Sequence, residues 1–141
     1  MRLLLLSNST NPGEPYLAWP LSHIGDFLGT GSRIFFVPYA GVRMTYDTYA
    51  ASVREALAPL GATVTGAHET GDPAAELERA DAIAVGGGNT FQLLARLEAE
   101  GLMDRIRERV RGGVPYLGWS AGANVACPTI RTTNDMPIVQ P

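Results

Sequence analysis

Short apolar runs alternate with amphipathic segments along the chain, and this alternation constrains the fold more than any other feature. The runs lie at Leu3–Leu6, Ile34–Val37, 62–66, Ala82–Val85 and Val114–Trp119. Each has the length of a strand, and helix-compatible sequence separates most of them. Such alternation is typical of βα units, so we predict an α/β fold with a doubly wound, mostly parallel sheet and helices on both faces. The uninterrupted run Leu3–Leu6 predicts a strand that is buried on both faces.

The segments between the strands carry helical spacing and helix-end signals. We expect one helix over Tyr16–Leu28, although proline and glycine interrupt it. Apolar residues at helical spacing predict a second helix over 46–60, with Gly61 as its C-terminal cap. Asp72 and Pro73 are expected to open a third helix as its N-cap and first residue. Two more helices are expected, with inward-facing residues Phe91, Leu94 and Leu97 in one and Leu102, Ile106 and Val110 in the other.

Composition excludes several classes of protein. With 141 residues, of which 45% are hydrophobic and 18% charged, the chain has the size and polarity of one globular domain. The net charge of −3 and the mixed charges of "DRIRERVR" give no basic patch for nucleic acid. No apolar run approaches the roughly 20 residues that cross a bilayer, and the N-terminal run is too short for a signal peptide. We therefore expect a cytoplasmic protein without nucleic-acid or membrane partners. The single cysteine, Cys127, excludes an internal disulfide and is expected in the core.

The segment Gly118-Trp119-Ser120-Ala121-Gly122 follows the fifth predicted strand. Glycines two residues either side of a serine are typical of the nucleophile elbow, a strand-to-helix turn too tight for side chains at those positions. In such a turn the amide of Ala121 supplies one donor to the oxyanion. A glycine-rich turn in which Ser120 only caps the next helix is the structural alternative, and the residues alone leave both open.

The segment "GGGNT" (86–90) follows the fourth predicted strand and precedes a helix. Consecutive glycines leave backbone N–H groups free to bind an anion at the helix N-terminus. The loop can serve as an oxyanion hole or as a phosphate site, although the P-loop lysine and the G-x-G-x-x-G spacing are both missing. It can also be a tight turn with Asn89 or Thr90 as the helix cap. Because the carboxyl ends of parallel strands share one sheet edge, we expect this loop to lie near Ser120.

A serine nucleophile needs a base, and both histidines of the chain, His23 and His68, precede Ser120. Surface or packing roles are expected for both. The polar segment 131–135 is either a loop near the site or a solvated connection, and the apolar "MPIV" after it resembles the start of another element. We therefore predict that residues 1–141 form a single α/β domain that is the N-terminal part of a longer catalytic domain.

Four segments resemble the peptidase E enzymes, the aspartyl dipeptidases of a serine peptidase family that also contains the cyanophycinases. These segments are "LLLLSNST", "PYAGV", "VGGGNTFQLL" and "GWSAGANVACPTIRTTNDMPIV", and the resemblance extends over essentially the whole chain. It implies an α/β enzyme that removes N-terminal aspartate from small peptides with a serine nucleophile and without metal or cofactor.

The resemblance also implies roles for individual residues. Ser120 matches the nucleophile, and the amides of Gly88 and Ala121 match the oxyanion donors. Asp135 matches an aspartate of the charge-relay system, and a glutamate further along the chain is the alternative for that role. The catalytic histidine of the family follows the segment that matches "TTNDMPIV", so we expect it beyond residue 141. The candidate residues for substrate binding are Asn89, Arg131 and Asn134, with Arg43 as a second candidate cation for the substrate carboxylate.

The leading hypothesis is a serine dipeptidase that hydrolyses Asp-X dipeptides through an acyl-enzyme. Taken alone, the 141 residues are expected to be an inactive fragment or a non-catalytic binding module, because the base is missing. A cyanophycinase-like hydrolase is the third hypothesis, since it shares the serine elbow. The expected partners are a small peptide with an N-terminal aspartate and either the missing C-terminal portion or further copies of the chain.

Overall fold

Five parallel strands form one sheet in residues 1–139, which is the part of the chain that the computed structural model describes. The sheet order is β1-β5-β4-β2-β3, and every neighbouring pair is parallel. The strands are β1 Leu3–Leu6, β2 Arg33–Val37, β3 Thr63–Gly66, β4 Ala82–Val85 and β5 Tyr116–Trp119. The predicted α/β class with a parallel sheet is therefore confirmed. The predicted domain, residues 1–141, ends two residues outside the described part.

Helices cover both faces of this sheet, as the sequence predicts. They are α1 Leu21–Leu28, α2 Tyr46–Leu57, α3 Pro73–Arg79, α4 Thr90–Ala99, α5 Leu102–Arg111 and α6 Ala121–Asn124, with 3-10 turns at Ala58–Leu60 and Ala67–Glu69. In β2, Ile34 and Phe36 point to the apolar cluster that contains α1 and α2. Phe35 and Val37 point to the opposite cluster, which contains α3, α4 and α5. This alternation follows from the two-residue period of a strand and divides the core into two layers.

The predicted start of α3 holds, whereas the predicted start of α1 needs correction. Asp72 caps α3 by accepting a hydrogen bond from Ala75 N–H at 3.0 Å, as predicted. The helix predicted over Tyr16–Leu28 begins only at Leu21. Leu17 has a positive φ of 55°, a conformation that an α-helix does not contain, so the residues before Leu21 form turns.

The buried stripe of α4 contains Leu97, as predicted, but its other two residues lie one position before the predicted ones. Leu93 and Leu97 are buried, whereas Leu94 and Phe91 are only half-buried. Leu93 and Leu97 are four residues apart and lie on one helix face, which the fully buried Thr90 extends by one turn. Because the first residue of the buried stripe, Thr90, is polar, the pattern of apolar residues in the sequence did not indicate this face.

The prediction that β1 is buried on both faces is wrong for residues 1–139. Leu3 is 39% exposed and Leu5 42% exposed, whereas Leu6 is buried. Within the described residues β1 is an edge strand with β5 as its one neighbour, so its apolar side chains are only partly covered. In this same part of the chain, the helices are all too short or too polar to cross a membrane.

Candidate active site

Ser120 occupies the turn between β5 and α6 with φ 52° and ψ −114°. Positive φ at a residue with a side chain costs of order 1–3 kcal/mol and is concentrated at functional sites. Ser120 N–H donates to the carbonyl of Leu6 at 2.9 Å, which fixes the turn to the end of β1. The Ser120 side chain makes no capping hydrogen bond to α6 within residues 1–139, so the structural alternative of a serine cap is not realised there.

The glycines that flank this serine are required by close backbone contacts. A Cβ on Gly118 would lie 2.5 Å from the carbonyl oxygen of Gly122. A Cβ on Gly122 would lie 2.0 Å from the carbonyl oxygen of Val85 in β4. The backbones of β5, α6 and β4 therefore lie so close together that only glycine fits at these two positions. The elbow geometry expected from the spacing is present.

The glycine loop after β4 lies directly against this turn, as expected from the parallel sheet. A Cβ on Gly87 would be 2.9 Å from the Cβ of Ser120. Gly88 has φ +140°, and a Cβ there would lie 2.0 Å from the carbonyl oxygen of Ala40. Within residues 1–139 no acceptor pairs with the amide of Gly88 or with that of Ala121, the first residue of α6. Both predicted oxyanion donors are thus without an internal acceptor in the described chain.

Asn89 caps helix α4, which was one of the readings left open by the sequence. Its Oδ1 accepts from Gln92 N–H at 3.0 Å, and its Nδ2 donates to the carbonyl of Met136 at 2.8 Å. Both polar ends of the Asn89 side chain are therefore engaged within the protein. Its predicted contact with substrate stays a prediction.

Asp135 binds the N-terminus of α4 from the other side. Its Oδ2 accepts from Thr90 N–H at 2.8 Å and from the Thr90 hydroxyl at 2.5 Å. Asn124 Nδ2 in turn donates to the Thr90 hydroxyl at 3.0 Å. A carboxylate at a helix N-terminus is stabilised by unpaired N–H groups and by the helix dipole. This network holds the segment 133–136 beside the elbow. The charge-relay role of Asp135 stays a prediction.

A cavity of about 780 Å³ opens at the carboxyl edge of the sheet, above Ser120. It brings together most of the residues predicted from the sequence, namely Gly88, Asn89, Ser120, Asn134 and Asp135. Ala121 is fully buried next to Ser120. Arg131 is exposed and does not line the cavity, whereas Arg43 does. Among the described residues, Arg43 is the single cationic side chain on the cavity wall and forms no ion pair.

Sequence reasoning missed the rest of the cavity wall. The missed residues come from the loops after β1 and β2 and from α2, and they include Ser9, Tyr16, Val42, Met44, Tyr49 and Ser52. The signal that identifies these loops is topological, since ligands bind where the carboxyl ends of parallel strands meet. Half-exposed apolar side chains on the rim, such as Val42 and Met44, make the cavity mouth apolar.

Both histidines lie outside the cavity and have the surface or packing roles that were expected. His68 Nε2 is 2.9 Å from Asp47 Oδ1. His23 packs edge-on against Trp19, with ring centroids 6.5 Å apart. The expectation that Cys127 is a core residue is wrong, because its side chain is exposed just after the end of α6.

Three potential metal ligands, Asp47, His68 and Glu69, approach within 4.8 Å of one another. Glu69 is already paired with the guanidinium of Arg54 and accepts from Gly66 N–H at 2.7 Å. Burial raises the pKa of Glu69, but these donors outweigh it and hold the pKa below its ordinary value. The charge of the Glu69 carboxylate is thus neutralised by Arg54. We interpret the cluster of Asp47, His68 and Glu69 as a structural contact between α2 and the turn after β3.

The fold and this site define a class: a parallel α/β protein that carries a strained serine turn opposite a glycine loop. The model of Peptidase family S51 matches residues 3–141. The chain belongs to this family, and the resemblance seen in the sequence is confirmed.

Individual relatives agree with this assignment. The chain is 55% identical to the Peptidase E of Salmonella newport (strain SL254) over 141 residues, which is 100% of this chain and 62% of the relative. It is 54% identical to the Peptidase E of Salmonella typhi over the same shares. The chain thus spans less than two thirds of the length of these relatives.

Solved structures support the same fold. A candidate Peptidase E protein from Listeria monocytogenes EGD-e superposes with a TM-score of 0.75 and 30% identity, covering 96% of this chain and 67% of that chain. A peptidase from an acI-B1 Actinobacterium superposes with a TM-score of 0.63 at 23% identity, which supports the fold alone.

Proposed function

We propose that the full-length protein is a serine peptidase that hydrolyses Asp-X dipeptides. The observation that carries this proposal is the position of Ser120, held at positive φ on a strand-to-helix turn below a cavity of about 780 Å³. Membership of Peptidase family S51 and the similarity to Peptidase E relatives support peptidase activity, and the dipeptide substrate is what the sequence resemblance implies. We also propose a cytoplasmic location for the protein.

The proposed chemistry begins with attack of the Ser120 hydroxyl oxygen on the scissile carbonyl carbon. The hydroxyl proton passes to a base, for which we propose a histidine beyond residue 141. The carbonyl oxygen becomes negative and accepts from the amides of Gly88 and Ala121, whose N–H groups have no acceptor in the described chain. The base then returns the proton to the leaving amine, and water hydrolyses the acyl-enzyme.

An N-terminal aspartate brings a carboxylate into the cavity, and a carboxylate bound away from water needs a cationic partner. Arg43 is the better placed of the two candidate cations, because it lines the cavity and Arg131 does not. We therefore propose that Arg43 binds a carboxylate of the substrate. Arg131 remains the alternative.

The test is a comparison of serine variants in the full-length protein. Ser120→Ala should abolish release of aspartate from Asp-Leu without lowering the unfolding temperature. Ser9→Ala is the matched control, since Ser9 lines the same cavity and is not proposed to react. Retained turnover in Ser120→Ala would overturn the proposal.

Two further measurements separate the other hypotheses. The isolated 141-residue chain is expected to release little or no aspartate, because a triad that lacks its base loses most of its rate. Robust turnover by this chain alone would contradict the proposed position of the base. Faster hydrolysis of a β-linked aspartyl polymer than of Asp-Leu would favour a cyanophycinase-like enzyme instead.

A further inference from the structure

The hydroxyl of Tyr49 connects the two halves of the candidate active site. Tyr49 lies in α2, is 5% exposed and donates a hydrogen bond to the carbonyl oxygen of Gly87 at 2.9 Å. The same hydroxyl accepts from Trp119 Nε1 at 3.3 Å and from the Tyr16 hydroxyl at 3.4 Å. One donated and two accepted bonds use the full capacity of a phenolic oxygen. Tyr49 thus joins the glycine loop to the residue that precedes Ser120.

The carbonyl that Tyr49 holds belongs to the same peptide group as the N–H of Gly88. In a planar trans peptide the C=O and the N–H point in opposite directions. A hydrogen bond that fixes the oxygen of Gly87 therefore also fixes the direction of the Gly88 N–H. The orientation of the proposed oxyanion donor therefore depends on a side chain 38 residues before Gly87 in the sequence.

The loop has no other hydrogen bond at this peptide group within residues 1–139. Gly86 N–H donates to Val37 at 3.1 Å, and Asn89 N–H donates to the carbonyl of Ala40 at 2.8 Å, so the two ends of the loop are fixed. Between these ends lie Gly87 and Gly88, whose backbones have the largest conformational freedom. Within residues 1–139, the Tyr49 hydroxyl therefore makes the one hydrogen bond that restrains the peptide group between Gly87 and Gly88.

The packing around Tyr49 is consistent with a fixed hydroxyl. Its ring lies against Phe36 at a centroid distance of 5.1 Å and edge-on to Tyr16 at 6.5 Å. A Cβ on Gly86 would lie 2.5 Å from the hydroxyl oxygen of Tyr49, so residue 86 must be glycine for this hydroxyl to reach Gly87. Burial raises the pKa of Tyr49, which keeps its proton in place as a donor at neutral pH.

We propose that Tyr49 is a positioning residue of the oxyanion hole, which aims the Gly88 N–H at the carbonyl oxygen of the substrate through the oxygen of Gly87. The inference rests on the proposed function, because it assigns a purpose to the oxyanion donor of a serine peptidase. Tyr49 itself does not touch the reacting atoms.

The test is Tyr49→Phe in the full-length protein, with Tyr39→Phe as the matched control. Tyr39 also loses one hydroxyl hydrogen bond, to Glu100 at 2.9 Å, and it does not line the cavity. Loss of a whole oxyanion donor lowers kcat about 100- to 1,000-fold. Misaiming one donor should lower kcat by about tenfold or more, with KM changed less than about threefold. A larger rise in KM than fall in kcat, or kcat equal to that of Tyr39→Phe, would overturn the inference.

A second readout does not depend on turnover. The ¹⁵N order parameter of the Gly88 amide should fall in Tyr49→Phe and stay unchanged in Tyr39→Phe. If the wild-type protein fails to cleave Asp-Leu, the proposed function fails while this measurement still decides whether Tyr49 holds the loop. An unchanged Gly88 order parameter would overturn the positioning role in either case. Should Tyr49→Phe fail to fold, Gly86→Ala tests the same contact, because the added Cβ displaces the hydroxyl from Gly87.

Discussion

Gly122→Ala is the substitution that tests the elbow most severely. The new Cβ would lie 2.0 Å from the carbonyl oxygen of Val85, against at least 3.4 Å in an ordinary contact, so the two backbones must separate by about 1.4 Å. Neither partner can move by rotating a side chain, because the obstructing atom is the backbone of the central strand β4. The carbonyl of Gly122 also accepts from the buried Tyr116 hydroxyl at 2.6 Å, so a shift of this backbone segment also perturbs a buried hydrogen bond.

Overpacking of a well-filled core typically lowers the free energy of unfolding by about 1–3 kcal/mol. Because the obstructing atom belongs to a rigid backbone, we expect Gly122→Ala to lower it by about 3 kcal/mol. In a domain of roughly 150–250 residues that corresponds to a fall of about 6–12 °C in unfolding temperature. The assay is the unfolding temperature of the full-length protein, measured by scanning calorimetry. Because Gly122 sits two residues after Ser120, we also expect Asp-Leu turnover to be lost.

Gly71→Ala is the control for this experiment. A Cβ on Gly71 meets no atom within 4 Å and its φ is not positive, so alanine is expected to change stability by no more than about 0.5 kcal/mol. An unfolding temperature for Gly122→Ala within 2 °C of that for Gly71→Ala would refute the steric account of the elbow.

The remaining predictions concern the cavity wall, the α4 network and the buried phenols. Arg43→Ala should raise KM for Asp-Leu about tenfold, because it removes one charged hydrogen bond to the substrate, whereas Arg131→Ala should leave KM unchanged. The reverse result would assign the binding of the substrate carboxylate to Arg131. Thr90→Val should lower the free energy of unfolding by about 2 kcal/mol, because it removes the hydroxyl that donates to Asp135 and accepts from Asn124 Nδ2. Thr90→Ser should restore most of this free energy in the same denaturant titration. Burial raises the pKa of Tyr16, Tyr39, Tyr49 and Tyr116 above the ordinary value of about 10. The folded protein therefore keeps protons that the unfolded chain releases, so this contribution to stability is complete below about pH 10 and is lost as the pH rises further. Absorbance at 295 nm should show these phenols ionising together with unfolding, and free titration in the folded state would contradict their burial.

The strands and the elbow could be predicted from the sequence because their causes are local. A strand buried within a parallel sheet needs a continuous apolar run, and Ala82–Val85 is such a run. The elbow needs glycine at Gly118 and Gly122 because backbone approaches within 2.5 Å leave no room for a Cβ. The apolar run and the two glycines can therefore both be recognised in the local sequence.

Features that depend on distant partners could not be predicted in the same way. The exposure of Leu3 and Leu5 follows from the place of β1 in the sheet order, which no property of β1 itself reveals. Tyr49 has the helical spacing of a core residue, and its bond to Gly87 appears only after α2 has packed on the sheet.

The partner of Asp135 is likewise invisible in the sequence. Thr90 lies 45 residues away, at the start of α4, and it is the fold that brings its N–H and hydroxyl to the carboxylate. Arg43 shows the same dependence, since its place on the cavity wall comes from the loop that follows β2. The family resemblance indicated Asp135 and its positive charge indicated Arg43, and only the fold decided what each side chain can reach.

The proposed function depends most directly on the reactivity of Ser120. The most direct measurement is covalent labelling of the full-length protein with a diphenyl phosphonate analogue of aspartate, followed by peptide mass mapping. We expect one phosphonyl adduct, on the peptide that contains Ser120, with loss of Asp-Leu turnover in proportion to labelling. Complete loss of turnover with the adduct on another residue, or full labelling of Ser120 with turnover unchanged, would contradict the assignment of Ser120 as the nucleophile.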